Sequence, residues 1–259
     1  MPGERDRAGA AGAGRKAYFG YRQVEAGEKG RLVRDVFASV APRYDLMNDL
    51  MSGGVHRLWK AALIARLGLR PGMHLVDVAG GTGDIALGVL RRAPEGVRVT
   101  VCDVSPAMLE VGRERAIDRG LLDRIDWLCG DAEALPLASR SADAYTIAFG
   151  LRNVTDIAAA LKEARRVLRP GGRFLCLEFG RVTVPPLRAL YDRYSFSVIP
   201  RLGEMVAGDG AAYAYLVESI RRFPPQAELA RMIDAAGLER VRVHNLSGGI
   251  AAIHAAWRL

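Results

Sequence analysis

Leu75–Asp84 reads LVDVAGGTGD, an apolar run that ends in three glycines and leads into a helical pattern. Glycine lets the backbone come close to a ligand, and a helix N-terminus offers free N–H groups. Residues 81–86, GTGDIA, also fit the G-x-G-x-x-A form of the dinucleotide fingerprint, which is a weak signal taken alone. The stretch therefore predicts a strand, a ligand-binding loop and a helix at the start of an α/β fold.

Around this stretch, short β-branched or apolar runs alternate with helical patterns, which predicts a Rossmann-like, mostly parallel sheet with helices on both faces. The predicted strands are His74–Val78, Val97–Cys102, Ile125–Cys129, Ala144–Phe149, Arg173–Phe179, Arg240–Asn245 and Gly249–Trp257. The predicted helices are Gly83–Arg92, Pro106–Arg119, Ile157–Leu168 and Gln226–Ala236.

The length of 259 residues suits a single domain, which we place at residues 17–259. Residues 28–69 are expected to form an N-terminal helical cap, and residues 181–222 an insertion on the substrate side. Residues 1–16 combine Gly, Ala and Arg without an apolar period, so we expect a disordered tail there. No apolar run approaches the roughly 18 residues that a membrane-spanning helix needs.

The charge and the cysteines bound the function classes. The net charge of +8 is spread along the chain, which suits a solvated basic surface, a nucleic-acid partner or an anionic membrane surface. The three cysteines, Cys102, Cys129 and Cys176, stand singly in apolar runs. They are predicted to be small buried residues in a reducing compartment, and neither a disulfide framework nor a metal site is expected.

Two acidic residues after later strands indicate the ligand. Asp103 ends the second strand, 22 residues after Gly81, where a carboxylate can accept hydrogen bonds from the ribose hydroxyls of NAD or S-adenosylmethionine alike. Asp131 with Ala132 follows the third strand, where a carboxylate can accept from an adenine amino group and a backbone N–H can meet the ring. That element favours S-adenosylmethionine, although Asp131 also fits a plain helix N-cap.

The chain lacks residues that are characteristic of two other enzyme classes. No Tyr-x-x-x-Lys pair occurs, which argues against a dehydrogenase. An amino-methyltransferase of nucleic acids would often carry an Asn/Asp-Pro-Pro-aromatic segment after the fourth strand, where residues 149–154 read FGLRNV instead. An RNA or other small-molecule methyltransferase is therefore the weaker alternative. Asp77, just before the glycines, either caps the turn or organises the loop around the sulfonium end of the cofactor.

Several segments together resemble one family, the ubiquinone/menaquinone biosynthesis C-methyltransferases (UbiE). They read SVAPRYDLMNDLMSGGVHRLWK at residues 39–60, DVAGGTGD at 77–84, AFGLRNVTD at 148–156, RRVLRPGGRFLCLEF at 165–179 and YDRYSFSVIP at 191–200. The resemblance covers residues 19–259. It implies a class I methyltransferase fold with seven strands, S-adenosylmethionine as the methyl donor, and a ring carbon of a prenylated hydroquinone as the acceptor.

Carried over to this chain, the cofactor contacts of the family fall on Thr82 beside Gly81, on Asp103, and on Asp131 with Ala132. These positions agree with those reached from the residues alone. Some relatives place a cofactor-contacting Ser just before the position of Phe149, where this chain has Ala148. Only backbone is expected to serve the cofactor there.

Methylation of an aromatic carbon needs an electron-rich ring held in line with the methyl group and relieved of a hydroxyl proton. Arg152, at the C-terminal edge of the fourth strand, is the predicted catalytic residue. It is expected to stabilise the developing oxyanion or to orient a water that takes the proton. The alternative is a purely structural salt bridge with Asp156.

Further candidates come from the cap and the insertion. Asp45, Asn48, His56, Tyr191 and Tyr194 are secondary candidates for the chemistry, although a lone His such as His56 is more often a packed core residue. A second set, in which the residues are either core or a lid over the cofactor and the quinol ring, consists of Tyr44, Met47, Met51 and Trp59. A groove for the prenyl tail is expected in the insertion, at Tyr191, Tyr194, Phe196 and Tyr213, with a capping subdomain as the alternative.

Because the prenyl tail of such a substrate lies in the membrane, we expect a cytoplasmic enzyme with peripheral contact at the inner membrane surface. Membership of a quinone-biosynthesis complex fits the same reasoning, and a nucleic-acid partner is not expected. The alternative that is not an enzyme is a cofactor-binding scaffold inside such a complex.

Overall fold

The structure is a computed structural model that describes Gly14, residues 16–183 and residues 210–259. Its strands are β1 (Lys16–Phe19), β2 (Arg22–Glu25), β3 (His74–Val78), β4 (Arg98–Asp103), β5 (Ile125–Cys129), β6 (Ala142–Ala148), β7 (Leu168–Phe179), β8 (Glu239–Leu246) and β9 (Ala251–Trp257). Strands β3 to β9 form one sheet in the order β5-β4-β3-β6-β7-β9-β8. Strand β9 runs antiparallel to both of its neighbours, β7 and β8, and the pairings among β3 to β7 are parallel.

The helices are α1 (Ala26–Val40), α2 (Tyr44–Ser52), α3 (His56–Ala65), α4 (Asp84–Leu90), α5 (Pro106–Ile117), α6 (Ile157–Val167), α7 (Gly210–Arg222) and α8 (Gln226–Ala235). Two large apolar clusters cover the two faces of the sheet. The predicted α/β fold with seven strands and helices on both faces is therefore confirmed.

The predicted elements from residue 74 onward are confirmed, with one large difference in bounds. Strand β7 begins at Leu168, five residues before the predicted start at Arg173. Leu168 pairs with Ala142 of β6, and the Gly171 N–H donates to the Arg258 carbonyl at 2.6 Å. The Pro-Gly-Gly segment therefore lies within β7, between residues paired with β6 at Leu168 and Arg173, and its glycines exchange backbone hydrogen bonds with Arg258.

The expected helical cap consists of α1, a short 3-10 turn at Ala41–Arg43, α2 and α3. A two-stranded hairpin, β1 with β2, precedes it and was not predicted. Lys16, expected in the disordered tail, begins that hairpin. Residues 1–13 and 15, where the rest of the tail was expected, lie outside the described part. Phe19 of the hairpin stacks on Tyr215 of α7 with ring centroids 4.1 Å apart. The cap is thus anchored to α7.

The insertion is described only at residues 181–183 and 210–222. Tyr191, Tyr194 and Phe196, predicted for the tail groove, lie outside the described residues. Tyr213 is 1% exposed and packs with Val33 and Val40 of α1. It therefore belongs to the hydrophobic core between the cap and α7. Within the described ranges, no helix combines the length and the apolar character that a bilayer crossing demands.

The cysteines follow the prediction in two of three cases. Cys102 and Cys176 are buried and free, as expected, but Cys129 is exposed. It is the last residue of β5, which forms one edge of the sheet. An edge strand is covered on one side only, and this explains the error.

Candidate functional site

A cleft of about 710 Å³ lies at the carboxyl ends of the parallel strands β3, β4, β5 and β6. In open parallel sheets ligands bind at this edge, near the point where the strand order reverses, here between β3 and β6. The loops after those strands supply most of the lining, at residues 79, 81, 103–104, 130–133, 149–150 and 153–155. Gly30, Val33 and Phe37 of α1 and Tyr44 of α2 close the opposite side. The cap is therefore one wall of the cleft.

The glycine loop needs glycine for close packing. A Cβ at Gly80 would lie 2.8 Å from a methyl group of Val101 and 2.9 Å from Oδ2 of Asp77. Gly81, with φ of +54°, lines the cleft, and Gly83, with φ of +77°, precedes the first turn of α4. Side chains at these positions would strain the backbone or push the loop into the cleft.

Thr82 is 1% exposed and does not line the cleft. Its hydroxyl accepts a hydrogen bond from the Arg115 guanidinium at 3.0 Å. Arg115 in turn pairs with Asp45 of α2 at 2.9 Å. Thr82 thus ties the glycine loop to α5 and the cap, and its direct contact with a cofactor stays a prediction.

Asp103 lines the cleft, as predicted, and is fixed by backbone donors. The N–H of Gly81 donates to its Oδ2 at 2.8 Å, and the N–H of Ser105 donates to its Oδ1 at 2.9 Å. Burial raises the pKa of Asp103, and the backbone hydrogen bonds oppose that rise. Each carboxylate oxygen has a second lone pair, so both can still accept hydrogen bonds from a pair of ligand hydroxyls.

Asp131 and Ala132 line the same cleft from the loop after β5. The N–H of Glu133 donates to Oδ1 of Asp131 at 2.9 Å, which leaves Oδ2 available to a ligand. Glu133 accepts from the N–H of Thr155 in the loop after β6, so the two loops are joined. The structure thus brings Gly81, Asp103, Asp131 and Ala132 together around one cavity, as the sequence predicted.

Asp77 lies fully buried beneath the glycine loop. The Thr146 hydroxyl donates to its Oδ1 at 2.7 Å, whereas its Oδ2 has no partner within the described residues. Burial raises the pKa of Asp77 to about 7. This placement favours the hypothesis that Asp77 organises the glycine loop, since among the described residues no backbone N–H donates to it as in a turn cap.

Arg152 lies behind the lining of the cleft. Its side chain is 4% exposed, pairs with Glu178 at 3.2 Å and donates to the Phe149 carbonyl. Its Nε–H has no partner in the described part of the chain. The partner in this salt bridge is Glu178 and not Asp156, which caps α6 by accepting from the Ala159 N–H at 3.1 Å; whether the pair is structural or catalytic stays open. The ion pair is buried, and its acidic partner was not foreseen.

The cap candidates divide between core and cleft. Tyr44 lines the cleft, and burial raises its pKa while the positive charges of Lys60 and Arg152 oppose the rise. Trp59 is 4% exposed and packs against Phe149 and Phe179, so it belongs to the core.

The remaining cap candidates do not line this cleft. His56 is buried and its Nε2 lies 2.9 Å from Asp49, as a packed histidine would. Asp45 pairs with Arg115. Asn48 has a buried Nδ2 without a partner among the described residues. The side chains of Met47 and Met51 lie outside the described part.

Two contributors to the site were missed. Lys29 of α1, 7% exposed, donates to the Val154 carbonyl at 2.6 Å and so fastens the cap to the cleft wall. Asn153 lines the cleft and accepts a hydrogen bond from the Tyr215 hydroxyl at 3.0 Å. A lysine in an otherwise apolar helix face was the available signal for Lys29; Asn153 stood beside Arg152 in a loop with no distinguishing pattern.

Comparison with known proteins gives one family. The model of the ubiE/COQ5 methyltransferase family matches residues 23–258. A protein of Paracoccus denitrificans (strain Pd 1222), named ubiquinone/menaquinone biosynthesis C-methyltransferase UbiE, is 58% identical over 95% of this chain and 98% of its own length. One of the same name from Brucella abortus (strain S19) is 54% identical over 99% of this chain and 96% of its own.

A solved structure gives the same fold. The crystal structure of a SAM dependent methyltransferase from Aquifex aeolicus superposes with a TM-score of 0.57. It covers 82% of this chain and 97% of its own, at 18% sequence identity. At that identity the likeness concerns the fold alone.

Proposed function

This chain belongs to the ubiE/COQ5 methyltransferase family and is an S-adenosylmethionine-dependent methyltransferase, and we propose that it methylates a ring carbon of a prenylated quinol. The proposed acceptors are 2-methoxy-6-polyprenyl-1,4-benzoquinol and demethylmenaquinol. The observation that carries this is the identity of 54 to 58% over nearly the whole length with relatives that bear the ubiquinone/menaquinone name.

The donors and acceptors that line the cleft suit S-adenosylmethionine. We place the ribose hydroxyls on Asp103, the adenine amino group on Oδ2 of Asp131, and the adenine ring against Ala132. The methionine end then lies toward Gly81 and Thr82, above the unpartnered Oδ2 of Asp77. When bound, the cofactor supplies an electrophilic methyl group on a positively charged sulfur.

The residues of the chain then have to orient the acceptor ring and manage its proton. As a hydroxyl of the quinol loses its proton, negative charge develops on its oxygen and at the attacking ring carbon. Once that carbon has gained the methyl group, it has to lose its own hydrogen as a proton, and the oxygen regains a proton, so that the aromatic quinol is restored. We propose that Arg152 stabilises that charge or orients the water that takes the proton. Its positive charge lowers the pKa of Tyr44, which lines the cleft, against the effect of burial. Its Nε–H has no partner among the described residues.

We also propose peripheral contact of this enzyme with the inner membrane surface and membership of a quinone-biosynthesis complex. The net charge of +8 and the membrane-bound tail of the proposed acceptor support the first. The relatives' names support only the biosynthetic context.

The test is transfer of labelled methyl from S-adenosylmethionine to a reduced, short-chain, demethylated benzoquinol and, in parallel, to demethylmenaquinol. We expect label on a ring carbon of at least one acceptor. If the protein binds S-adenosylmethionine but methylates neither quinol, the proposed acceptor class is wrong and the scaffold alternative is favoured.

Variants assign the roles. Asp103→Ala should raise the KM for S-adenosylmethionine, whereas Asp126→Ala on exposed β5 should leave it unchanged. Arg152→Ala should lower kcat by about 10²- to 10³-fold, as removal of one oxyanion donor does. Because Arg152 is buried in an ion pair, Arg152→Lys is measured beside it, with a thermal melt and cofactor binding as folding controls. Full activity in folded Arg152→Ala would refute the catalytic assignment.

A further inference from the structure

A second cleft, of about 890 Å³, opens between α3, α4 and α5 on the outer side of the glycine loop. We call it the basic cleft. Six of its lining residues are cations: Arg57, Lys60, Arg91, Arg92, Arg115 and Arg119. Among the described residues, it shares no lining residue with the cofactor cleft. It is therefore a separate site, and the proposed reaction leaves it unused.

Three of the cations are neutralised by carboxylates. Asp84 lies 2.6 Å from Lys60, and Asp45 lies 2.9 Å from Arg115. Asp49 lies 2.7 Å from Arg57.

The other three are exposed and unpaired. Arg91 and Arg92 follow α4 and Arg119 follows α5, and none of them has a carboxylate within ion-pair distance in the described ranges. Cations at the C-terminus of a helix favour its dipole, which accounts for part of their placement. It does not neutralise three guanidinium groups around one cavity, so the cleft carries an excess of positive charge.

A buried group in the same cleft also lacks a partner. His56 lines the cleft and is 4% exposed. Its Nε2 contacts Asp49 at 2.9 Å, whereas its Nδ1 has no hydrogen-bond partner in the described part of the chain. A buried polar atom without a partner is uncommon in native proteins and indicates a ligand or water. Burial lowers the pKa of His56, and in the neutral ring, with Nε2–H donating to the Asp49 carboxylate, Nδ1 is an acceptor that suits a hydroxyl of a ligand or a water.

The surface beside the basic cleft favours a lipid over a free ion. Leu58, next to Arg57 on α3, is 69% exposed, and Leu46, next to Asp45 on α2, is 41% exposed. Exposed leucines on helices that also line a cleft with an excess of positive charge are typical of surfaces that lie on anionic membranes. A free phosphate ion would gain nothing from those leucines.

We propose that the basic cleft binds the phosphate of an anionic phospholipid headgroup through Arg91, Arg92 and Arg119, while Leu58 enters the interface. Arginine is suited to phosphate because its planar fork donates two hydrogen bonds at once. This rests on the proposed function in one respect, namely that a membrane-bound acceptor has to be met at the bilayer surface. The inference thus specifies which face of the enzyme touches the membrane.

The test is co-sedimentation of the full chain with vesicles of phosphatidylcholine, with and without phosphatidylglycerol, at low ionic strength. Wild type should bind only the anionic vesicles. Each arginine near an anionic surface contributes about 1 kcal/mol, or about fivefold in partitioning. The double variant Arg91→Gln/Arg92→Gln should therefore bind about 25-fold more weakly.

A matched control separates the site from net charge. Arg231→Gln/Arg242→Gln removes the same charge from exposed positions on α8 and β8, and it should bind nearly as wild type. If the two double variants lose vesicle binding equally, diffuse positive charge explains the binding and the proposal is overturned. Failure of wild type to sediment with anionic vesicles would also overturn it. Thermal melts and cofactor binding show that each variant is folded.

A second variant separates a lipid from a free ion. Leu58→Ser should weaken vesicle binding and leave any binding of inorganic phosphate, measured by calorimetry, unchanged. Phosphate binding that depends on Arg91 and Arg92 without vesicle binding would overturn the lipid assignment. Methyl transfer to the short-chain quinol in detergent should be unaffected by these variants. Absence of transfer in wild type there would refute the proposed function separately.

Discussion

The indole of Trp127 stands between two glycines, and this predicts the effect of adding one methyl group. A Cβ at Gly112 of α5 would lie 2.4 Å from Cζ3 of Trp127 and 3.1 Å from the carbonyl carbon of Thr82. A Cβ at Gly83, in the glycine loop, would lie 2.7 Å from Cη2 of the same ring. The indole edge therefore has contacts on both sides, and Gly112→Ala would push it toward the loop.

The cost follows from that geometry. Ordinary van der Waals contact begins near 3.4 Å, so the ring has to move by about 1 Å. Overpacking a well-packed site costs about 1 to 3 kcal/mol, and the upper value applies because Gly83 blocks the retreat of the ring. Replacing a mid-helix glycine by alanine returns about 1 kcal/mol. The free energy of unfolding should fall by about 2 kcal/mol, which lowers Tm by about 4 to 8 °C.

The same displacement should weaken cofactor binding. The ring and the new methyl group press on Thr82 and Gly83, which belong to the loop proposed to hold the methionine end. A strain of about 1.4 kcal/mol carried to that loop would raise the dissociation constant about tenfold. Isothermal titration calorimetry with S-adenosylhomocysteine measures this, and differential scanning calorimetry measures Tm.

The matched control is Gly27→Ala in α1, where a Cβ would meet nothing within 4 Å. It should stabilise the protein by up to about 1 kcal/mol and leave the dissociation constant unchanged. If Gly112→Ala matches Gly27→Ala in both Tm and affinity, the packing of Trp127 against the loop does not constrain the site.

For three further substitutions, the burial of the replaced side chain sets the direction of the expected effect. Lys29→Met, which leaves the Val154 carbonyl unpaired, should weaken S-adenosylhomocysteine binding about tenfold by calorimetry, because a lost hydrogen bond to a charged donor costs about 1.5 to 3 kcal/mol. Unchanged affinity would show that α1 does not shape the cleft. Arg152→Met should cost about 3 to 5 kcal/mol in urea unfolding, since it strands the buried Glu178 carboxyl; a loss below about 1 kcal/mol would show the pair to be weak. Burial raises the pKa of Asp77 to about 7, above its value of about 4 in the unfolded chain. The contribution of Asp77 to the free energy of unfolding is therefore fully present below pH 4, and it is lost as pH rises through 7. Asp77→Asn should flatten the decline of stability between pH 5 and 8 in the cofactor-free protein, and an unchanged slope would assign the decline to other groups.

The fold was accessible from the sequence because its signals are local. Strand β3 is fully apolar except at His74 and Asp77, and a glycine loop and a helix follow it directly. Repetition of that pattern fixes a parallel sheet. The hairpin β1 with β2 was missed because its two strands have four residues each and are stabilised by packing on α7, for instance Phe19 on Tyr215, which no local pattern reveals.

The meeting of Asp103 and Asp131 at one cleft could be predicted for a related reason. Asp103 and Asp131 each end or follow a strand, and parallel topology brings strand ends to one edge whatever the intervening sequence. The partner of Arg152 could not be inferred in the same way. Glu178 lies 26 residues further on, within an apolar strand. Only the pairing of β6 with β7 shows that Glu178, near the end of β7, lies beside the loop after β6 that carries Arg152.

The most informative disagreement concerns depth within the site. The sequence predicted Arg152 at the edge of the sheet where ligands bind. In the structure its guanidinium lies behind the residues that line the cleft, held by Glu178 and the Phe149 carbonyl. A charge fixed in this way does not reorganise when negative charge appears on an acceptor, which is how preorganised groups lower a barrier. Burial in an ion pair is therefore compatible with a role in the reaction. Glu178→Gln separates a structural role of Arg152 from a catalytic one, because it keeps the size of the side chain but removes the negative charge that neutralises the guanidinium. If the ion pair is only structural, the variant should lose stability and keep its kcat. If the charge of Arg152 acts in the reaction, kcat should change in the folded variant.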